Sequence, residues 1–465
     1  MQLRPDQFED LITLIANPRH GLWHEPAVGK TPTACVYTKY LLENQGTTTV
    51  WTQPKSIMEK NQKELMRWTG WDEKDVVIVD GNPAQVQRQL TSQAKVFLMG
   101  PARFRLSQPL FPDRIKAVVA DEIHMKGFSG PESKQTESLY AFYKKQGKFF
   151  LPMSGTLING KPDSAYPTIK LIEPHYYGNY DQFKNFHHEY DAWTGYLTGY
   201  RNLEKLKQIL LTHGIRRTFE SIYGKEAKVV VPEWVELAPK QREVYDEFEQ
   251  TALLELERFF VDGTQPGVGF IRARQILEHP HHFPDLTQPG SGKTVDILDG
   301  ELPGKEQRLE LHFQDHVNTG EPVVVFAFFV AQQKSIAALG ERMGMRVAIM
   351  NGETPTRKRF EIDEAFRAGE IDLLVASPEV AGIGYNWQFA GDREVKHCIF
   401  ASMDYLDTSF LQNYRRFIRG TRATTLRITV MMYDAEIERR VLDITRKKSL
   451  MASRIDVTRP ELVFV

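Results

Sequence analysis

The 465-residue sequence predicts an α/β protein of two parallel-sheet lobes with helical insertions. Three observations carry that expectation. Short apolar, β-rich runs alternate with helical stretches along both halves, the pattern of right-handed crossovers in a parallel sheet. One of these runs, Ala117–Ala120, ends abruptly in the adjacent acids Asp121 and Glu122. The triplet Gly29, Lys30, Thr31 stands immediately before a stretch of helical character, TPTACVYTKYLLE.

Composition bounds the function classes. Hydrophobic residues make up 41% of the chain and charged residues 26%, an ordinary globular balance that allows two to four domains. No apolar run reaches the length of a membrane span. The opening MQLRPDQFEDL lacks a signal-peptide pattern, so a reducing cytoplasm is expected. Two cysteines, Cys35 and Cys398, are too few for a disulfide framework or a thiolate zinc site. A net charge of −1 does not announce a nucleic-acid partner, so any such surface must be a local patch. His187/His188 and His279/His281/His282 have no metal-ligand spacing and read as packing or surface residues.

The first segment, LRPDQFEDLITLIA, opens with an Arg-Pro turn and continues as a helix, with Phe8, Leu11, Ile12, Leu14 and Ile15 at helical spacing. Gln7 sits just ahead of that helix, and its amide could both donate to and accept from an adenine edge. The segment Ala27, Val28, Gly29, Lys30, Thr31 matches the end of a phosphate loop. There backbone N–H groups cradle a polyphosphate, the lysine neutralises β/γ oxygens and the threonine hydroxyl binds Mg²⁺. His24 stands where the strict pattern has its first glycine, and Ala27 where a glycine is common.

Strands follow at TTTVWTQP (Thr47–Pro54), DVVIVDG (Asp75–Gly81), KVFLMG (Lys95–Gly100), the acid-ended run and FFLPMSGTLING (Phe149–Gly160), which carries the hydroxyl pair Ser154 and Thr156. In the acid pair, Asp121 is placed to hold a hydrated Mg²⁺ and Glu122 to orient and deprotonate a water; the bland alternative is a helix cap. Residues 174–225 are rich in tyrosine, Lys and Arg and suit either a helical insertion with an aromatic core or a nucleic-acid track.

The second half repeats the pattern at PVVVFAFFV (Pro322–Val330), RVAIMNG (Arg346–Gly352), IDLLVAS (Ile371–Ser377) and HCIFASM (His397–Met403), the last read as the final central strand. A better-lettered phosphate loop, GSGKT (Gly290–Thr294), follows a turn-rich segment rather than a strand, and no long helix succeeds it, so it reads as a surface loop. In FLQNYRRFIRGTR, Arg416 and Arg419 are three apart, which on a helix puts them on one face. Guanidinium groups there suit γ-phosphate charge.

Taken in order, LRPDQ, AVGKT, ADEIH, MSGTL, HGIRRTFESI, IRARQILEHP and the Gln412–Arg416–Arg419 string resemble the motifs of superfamily-two helicases and translocases of the Swi/Snf-like branch. Ile418 departs from the histidine often seen in the last motif. The resemblance implies two RecA-like lobes, residues 1–225 and 226–465, with insertions at about 174–225 and 240–320. It implies ATP and Mg²⁺ as cofactors, held by Gln7, the 27–31 loop, Asp121, Gly384 and Gln412, with Lys30, Glu122, Arg416 and Arg419 acting in hydrolysis across a shared cleft. It further implies a DNA track, usually duplex. That track would be touched at strand-end loops by Gln53, Pro54, Lys55, Arg103, Ser154, Thr156, Phe328, Gly382 and Asn386. No histone-reading, zinc or basic-tail module is visible. A compact bacterial or phage fork- or junction-remodelling enzyme is therefore expected, with possible replication or recombination partners. RNA or single-strand unwinding, an ATP-switched binding module and a metabolite kinase are the alternatives.

Overall fold

A computed structural model describes residues 1–465 apart from 125–126, 159–160, 250–267, 286, 289–290, 382–383, 403–406, 421 and 456–465. The chain forms two compact units, one mainly Met1–Glu189 with Gly199–Lys225, the other mainly Glu226–Leu450 together with the short segment Tyr190–Thr198.

The first unit is built on seven strands: β1 (Gly21–Leu22), β2 (Thr48–Thr52), β3 (Val76–Ile78), β4 (Val96–Met99), β5 (Ile115–Asp121), β6 (Phe149–Met153) and β7 (Gly214–Ile215). They lie in the order β3-β4-β2-β5-β6-β1-β7, and every neighbouring pair is parallel. The inner strands β2, β4, β5 and β6 are buried almost throughout because both faces are covered, with only Lys116 of β5 exposed. In β5, Val118 and Ala120 join one hydrophobic layer while Ala117 and Val119 join the other. All strands point the same way, so every loop that follows a strand emerges at one edge of the sheet. The acid-ended β5 is the central strand, and β6 alone separates it from β1, which leads into the phosphate loop.

Helix α1 (Pro5–Ala16) buries Leu11 and Leu14, but Phe8, Ile12 and Ile15 are exposed. The expected single apolar stripe is thus two stripes, and only one faces the core. Helix α2 (Lys30–Gln45) packs Ala34, Cys35, Tyr37 and Leu41 under the sheet, and α3 (Met58–Thr69) follows β2. Both cysteines are free and buried.

The region 174–225 is not simply a helical insertion. It holds the helices Tyr180–His187, Leu203–Thr212 and Phe219–Tyr223, a hairpin, and β7 at the sheet edge. Trp23 ties it to the sheet: its indole lies against the paired glycines Gly21 of β1 and Gly214 of β7, where a Cβ would fall 2.0 and 1.9 Å from it, and its N–H donates to the Leu210 carbonyl at 2.9 Å. His187 and His188 are buried packing residues of this region.

The second unit has six strands: β8 (Lys228–Val235), β9 (Val323–Phe326), β10 (Val347–Met350), β11 (Leu373–Ala376), β12 (His397–Phe400) and β13 (Leu426–Tyr433). Their order is β8-β13-β12-β9-β11-β10, again wholly parallel. The segment His397–Met403 is therefore not the final strand. Leu426–Tyr433 inserts beside it and buries all but Arg427. Of the Gly290–Thr294 segment, Gly290 lies outside the described residues; Thr294 opens a two-residue strand, Thr294–Val295, paired with Phe283–Pro284, and the next described helix starts only at Gly304. No helix among the described residues is long and apolar enough to cross a membrane.

Candidate active site

The phosphate loop runs from β1 to the first turn of α2. Two of its residues have left-handed backbone, Ala27 (φ 71°) and Gly29 (φ 97°), whereas His24 does not. This explains the unusual lettering. Position 24 has no conformational need for glycine, and its ring is fully buried 3.3 Å from Asp10 Oδ2. Position 27 has that need but carries alanine. At Gly29 a Cβ would meet Gln7 Nε2 at 2.8 Å, so only glycine fits.

The loop is tied down from α1. Gln7 Nε2 donates to the Gly29 carbonyl at 3.0 Å, and Gln7 Oε1 accepts the Arg4 N–H at 3.0 Å. Arg4 Nη2 donates to the Val28 carbonyl at 2.6 Å and to Asp6 at 2.9 Å. Gln7 thus clamps the loop in this structure, and an adenine edge would have to compete for its amide. Lys30 Nζ donates to the His24 carbonyl at 2.9 Å, and Thr31 is half-buried in the first turn of α2.

Buried charges brace the loop from beneath. Arg217 Nε donates to Asp10 Oδ1 at 2.8 Å, and burial pushes Asp10 up to about 6 against that pairing. Burial holds His24 well below its ordinary value, with Lys30, Arg217, Arg216 and Arg4 adding, so the ring is neutral at physiological pH. Arg216 Nη1 reaches the Gly155 carbonyl at 3.3 Å, and a Cβ on Gly155 would sit 3.1 Å from Pro26. The turn that carries Ser154 and Thr156 therefore packs against the phosphate loop.

Asp121 closes β5, and Glu122 adopts left-handed backbone (φ 52°), which swings its side chain out of strand register. Burial pushes Asp121 up to about 6 and the neighbouring Glu122 adds to it, while the Lys30 ammonium and the Asn61 amide oppose. Lys30 and Asp121 therefore act on each other electrostatically although 91 positions separate them in sequence. Asn61 Nδ2 donates to Asp121 Oδ2 at 3.3 Å and to Gln53 Oε1 at 2.6 Å. An ammonium, a hydroxyl and a carboxylate at one strand edge fit Mg²⁺ with a polyphosphate. That ion needs only one or two protein ligands and takes the rest from phosphate and water.

Three expected nucleic-acid contacts need correction. Gln53 is 1% exposed and spent on Asn61, and Ser154 (1%) and Thr156 (5%) are bonded to each other inside the unit, the Thr156 N–H donating to Ser154 Oγ at 3.2 Å. Their side chains are buried because they link strand ends to the acid and to the phosphate loop. Lys55 is exposed and Arg103 half-buried, and both pair with Asp80, at 3.7 and 3.3 Å. Pro54 lies at the turn before Lys55.

In the second unit, Arg416 and Arg419 are not on a helix. The helix Asp407–Tyr414 ends before them because Phe417 and Ile418 turn into the core, Phe417 against Phe326 and Trp387. The two guanidinium groups still converge, both donating to the Tyr385 carbonyl, at 3.5 Å from Arg416 and 2.5 Å from Arg419. Burial lowers Arg419 to about 10, with Arg415 adding, and it stays charged at neutral pH. Gln412 is buried, and Gly384 holds φ 87°. Phe328 and Asn386 are exposed, and Phe328 is fixed by its N–H donating to Ser402 Oγ at 2.8 Å. Gly382 lies outside the described residues.

Two residues of this machinery were not singled out from sequence. Arg4 was visible only as a letter of LRPDQ. Asn61, in mid-helix of α3, carries no local signal at all.

A lysine-bearing phosphate loop and an acid pair on one parallel-sheet edge, in a chain with a second parallel sheet, define a P-loop nucleoside triphosphatase. The SNF2-related domain family matches residues 11–282, and the helicase conserved C-terminal domain matches residues 304–421. The chain belongs to the SNF2-related family, within the Swi/Snf-like superfamily-two helicases, and membership implies ATP hydrolysis with a divalent metal, typically Mg²⁺. It is 33% identical over 102 residues to the ATP-dependent RNA helicase RhlB of Shewanella amazonensis, an alignment covering 20% of this chain and only 23% of that protein. Among solved structures, the Hef helicase domain of Pyrococcus furiosus matches 95% of this chain and 99% of its own, with 14% identity and a TM-score of 0.54, and shares the fold. The Sulfolobus solfataricus SWI2/SNF2 ATPase core in complex with dsDNA matches 100% and 95%, with 18% identity and a TM-score of 0.43.

Proposed function

We propose that this protein couples ATP hydrolysis to movement on DNA and remodels forks or junctions in replication, recombination or repair. The observation that carries the reading is geometric: the Lys30-bearing loop after β1 and the Asp121 end of β5, beside a left-handed Glu122, emerge at one edge of the same parallel sheet in a member of a helicase family. Lys30 and the backbone of Ala27, Val28 and Gly29 bind the polyphosphate. Thr31 and Asp121 hold Mg²⁺, which neutralises phosphate charge when bound. Glu122 orients a water and takes its proton. Arg416 and Arg419 contribute positive charge to hydrolysis, Gly384 and Gln412 assist in nucleotide handling, and Gln7 reads adenine once its amide is released.

For the track, Pro54, Lys55, Arg103, Phe328 and Asn386 remain the candidate contacts after burial removes the side chains of Gln53, Ser154 and Thr156. Backbone and charge contacts grip phosphates without reading sequence, so weak sequence preference and steep salt dependence are expected. The test is ATP turnover by the full chain across continuous duplex, forked DNA, four-way junction, single-stranded DNA and RNA. Strongest stimulation by duplex or branched DNA is expected, with conversion of the junction; indifference to every DNA would overturn the reading. The local likeness to RhlB supports a second reading, an RNA track, and stimulation by RNA alone would establish it in place of the first.

A further inference from the structure

The strands His188–Tyr190 and Leu197–Tyr200 form a hairpin whose base is pinned by one carboxylate. Asp163 accepts from His188 Nε2 at 2.8 Å, from the Tyr200 hydroxyl at 3.1 Å and from the Tyr180 hydroxyl at 2.5 Å. The turn is just as firmly built. Asp191 Oδ1 accepts from the Trp193 N–H (3.0 Å), the Thr194 N–H (2.7 Å) and the Thr194 hydroxyl (2.9 Å). The Gly195 N–H returns to the Asp191 carbonyl at 2.9 Å, and the Asp191 N–H donates to the Tyr196 carbonyl at 2.8 Å. The bonds from Thr194 and Trp193 hold the Asp191 carboxyl below its usual range.

What this turn presents is Trp193, 98% exposed, with Tyr190 and Tyr196 half-exposed beside it. Tryptophan gains more from burial than almost any side chain, yet here a pre-formed turn keeps the whole indole in water. The other tip residues, Ala192, Thr194 and Gly195, are uncharged, while Glu189 and Asp191 nearby are acidic. Such a tip is a poor grip for phosphate. It suits a planar, neutral, aromatic-binding partner, and a nucleobase face is one that aromatic side chains bind regardless of sequence. In a continuous duplex those faces are stacked and hidden. They open only at an end, a fork or a junction.

Resting on the DNA reading above, we infer that Trp193 stacks on the first open base at a single-strand/double-strand boundary and makes that boundary, rather than continuous duplex, the preferred substrate. The test uses the full chain and forked DNA carrying 2-aminopurine at the first unpaired position, with the variants Trp193→Ala and Trp193→Phe. The wild type should quench the probe. Trp193→Ala should lose the quenching and weaken fork binding about tenfold, the loss expected for one stacked base. Trp193→Phe should retain most of both. Binding to covalently closed circular duplex, which has no ends, and the ATP turnover it stimulates, should stay within about twofold of the wild type for each variant. Three results would overturn the inference: unchanged quenching by Trp193→Ala, an equal loss on continuous duplex, or unchanged fork handling with loss only of a protein partner. If the wild type itself fails to bind or respond to any DNA, the proposed function has failed, and the wild-type arm alone shows it.

Discussion

Ala27 and Glu122, one in the phosphate loop and one at the end of the acid-bearing strand, both hold left-handed backbone without being glycine. Each costs on the order of 1–2 kcal/mol, and such strain persists where the surroundings over-determine a conformation, often at functional sites. Ala27→Gly should relieve that cost less the extra freedom it gives the unfolded chain, a net gain of about 0.5 kcal/mol. A higher denaturant midpoint at unchanged slope would show it. Glu122→Gln keeps shape and loses the base. Hydrolysis should fall about 10²- to 10⁴-fold with nucleotide affinity nearly unchanged, and normal turnover would return Glu122 to a structural role.

Asp121 sets a pH dependence whose sign follows from its environment. Its folded value is raised from 3.8 to about 6. The folded chain therefore holds this proton more tightly than the unfolded chain. The stability from that proton is full below about pH 4 and is lost as pH rises through about 6. Mg²⁺ competes with the same proton, so Mg²⁺-dependent nucleotide binding should rise between about pH 4 and 6 and then level off. Titration by calorimetry checks this, and Asp121→Asn should flatten the rise.

At the scale of elements, α1 acts on the phosphate loop through Gln7 and Arg4. Gly29→Ala would force a Cβ to 2.8 Å from Gln7 Nε2 at a φ of 97°, which breaks that clamp. A loss of about 2 kcal/mol in stability is expected, together with at least a tenfold loss in nucleotide affinity; unfolding curves and nucleotide titrations measure the two separately. The same scale shows what was legible in the sequence. Lys30–Thr31 and Asp121–Glu122 could be read because their chemistry is local: a lysine before a helix, acids after an apolar run. The Asp10–His24 contact, the Asn61 bridge and the inward turn of Ser154 and Thr156 could not, because each depends on which strands become neighbours. Spacing alone puts Arg416 and Arg419 on a helix, while the burial of Phe417 and Ile418 ends that helix first. Leu426–Tyr433 carries an alternating apolar pattern, but its place between β8 and β12 is set by pairing with strands distant in sequence.

For the whole molecule, a net charge of −1 gives no general attraction to nucleic acid, so the proposed DNA track depends on local groups, with Lys55 and Arg103 as the proposed contacts. Both already pair with Asp80, which phosphates would have to displace. Binding to duplex should accordingly fall steeply with salt, and Arg103→Ala should reduce the slope by about one counterion.

The central claim of the proposed function is that Arg416 takes part in the ATP hydrolysis assigned to Lys30, Asp121 and Glu122. ATP turnover by Arg416→Ala, in protein shown to be folded and to bind nucleotide, tests it most directly. A fall of about 10³-fold or more is predicted, the scale of an arginine that neutralises transition-state charge. Turnover at the wild-type rate would contradict the account.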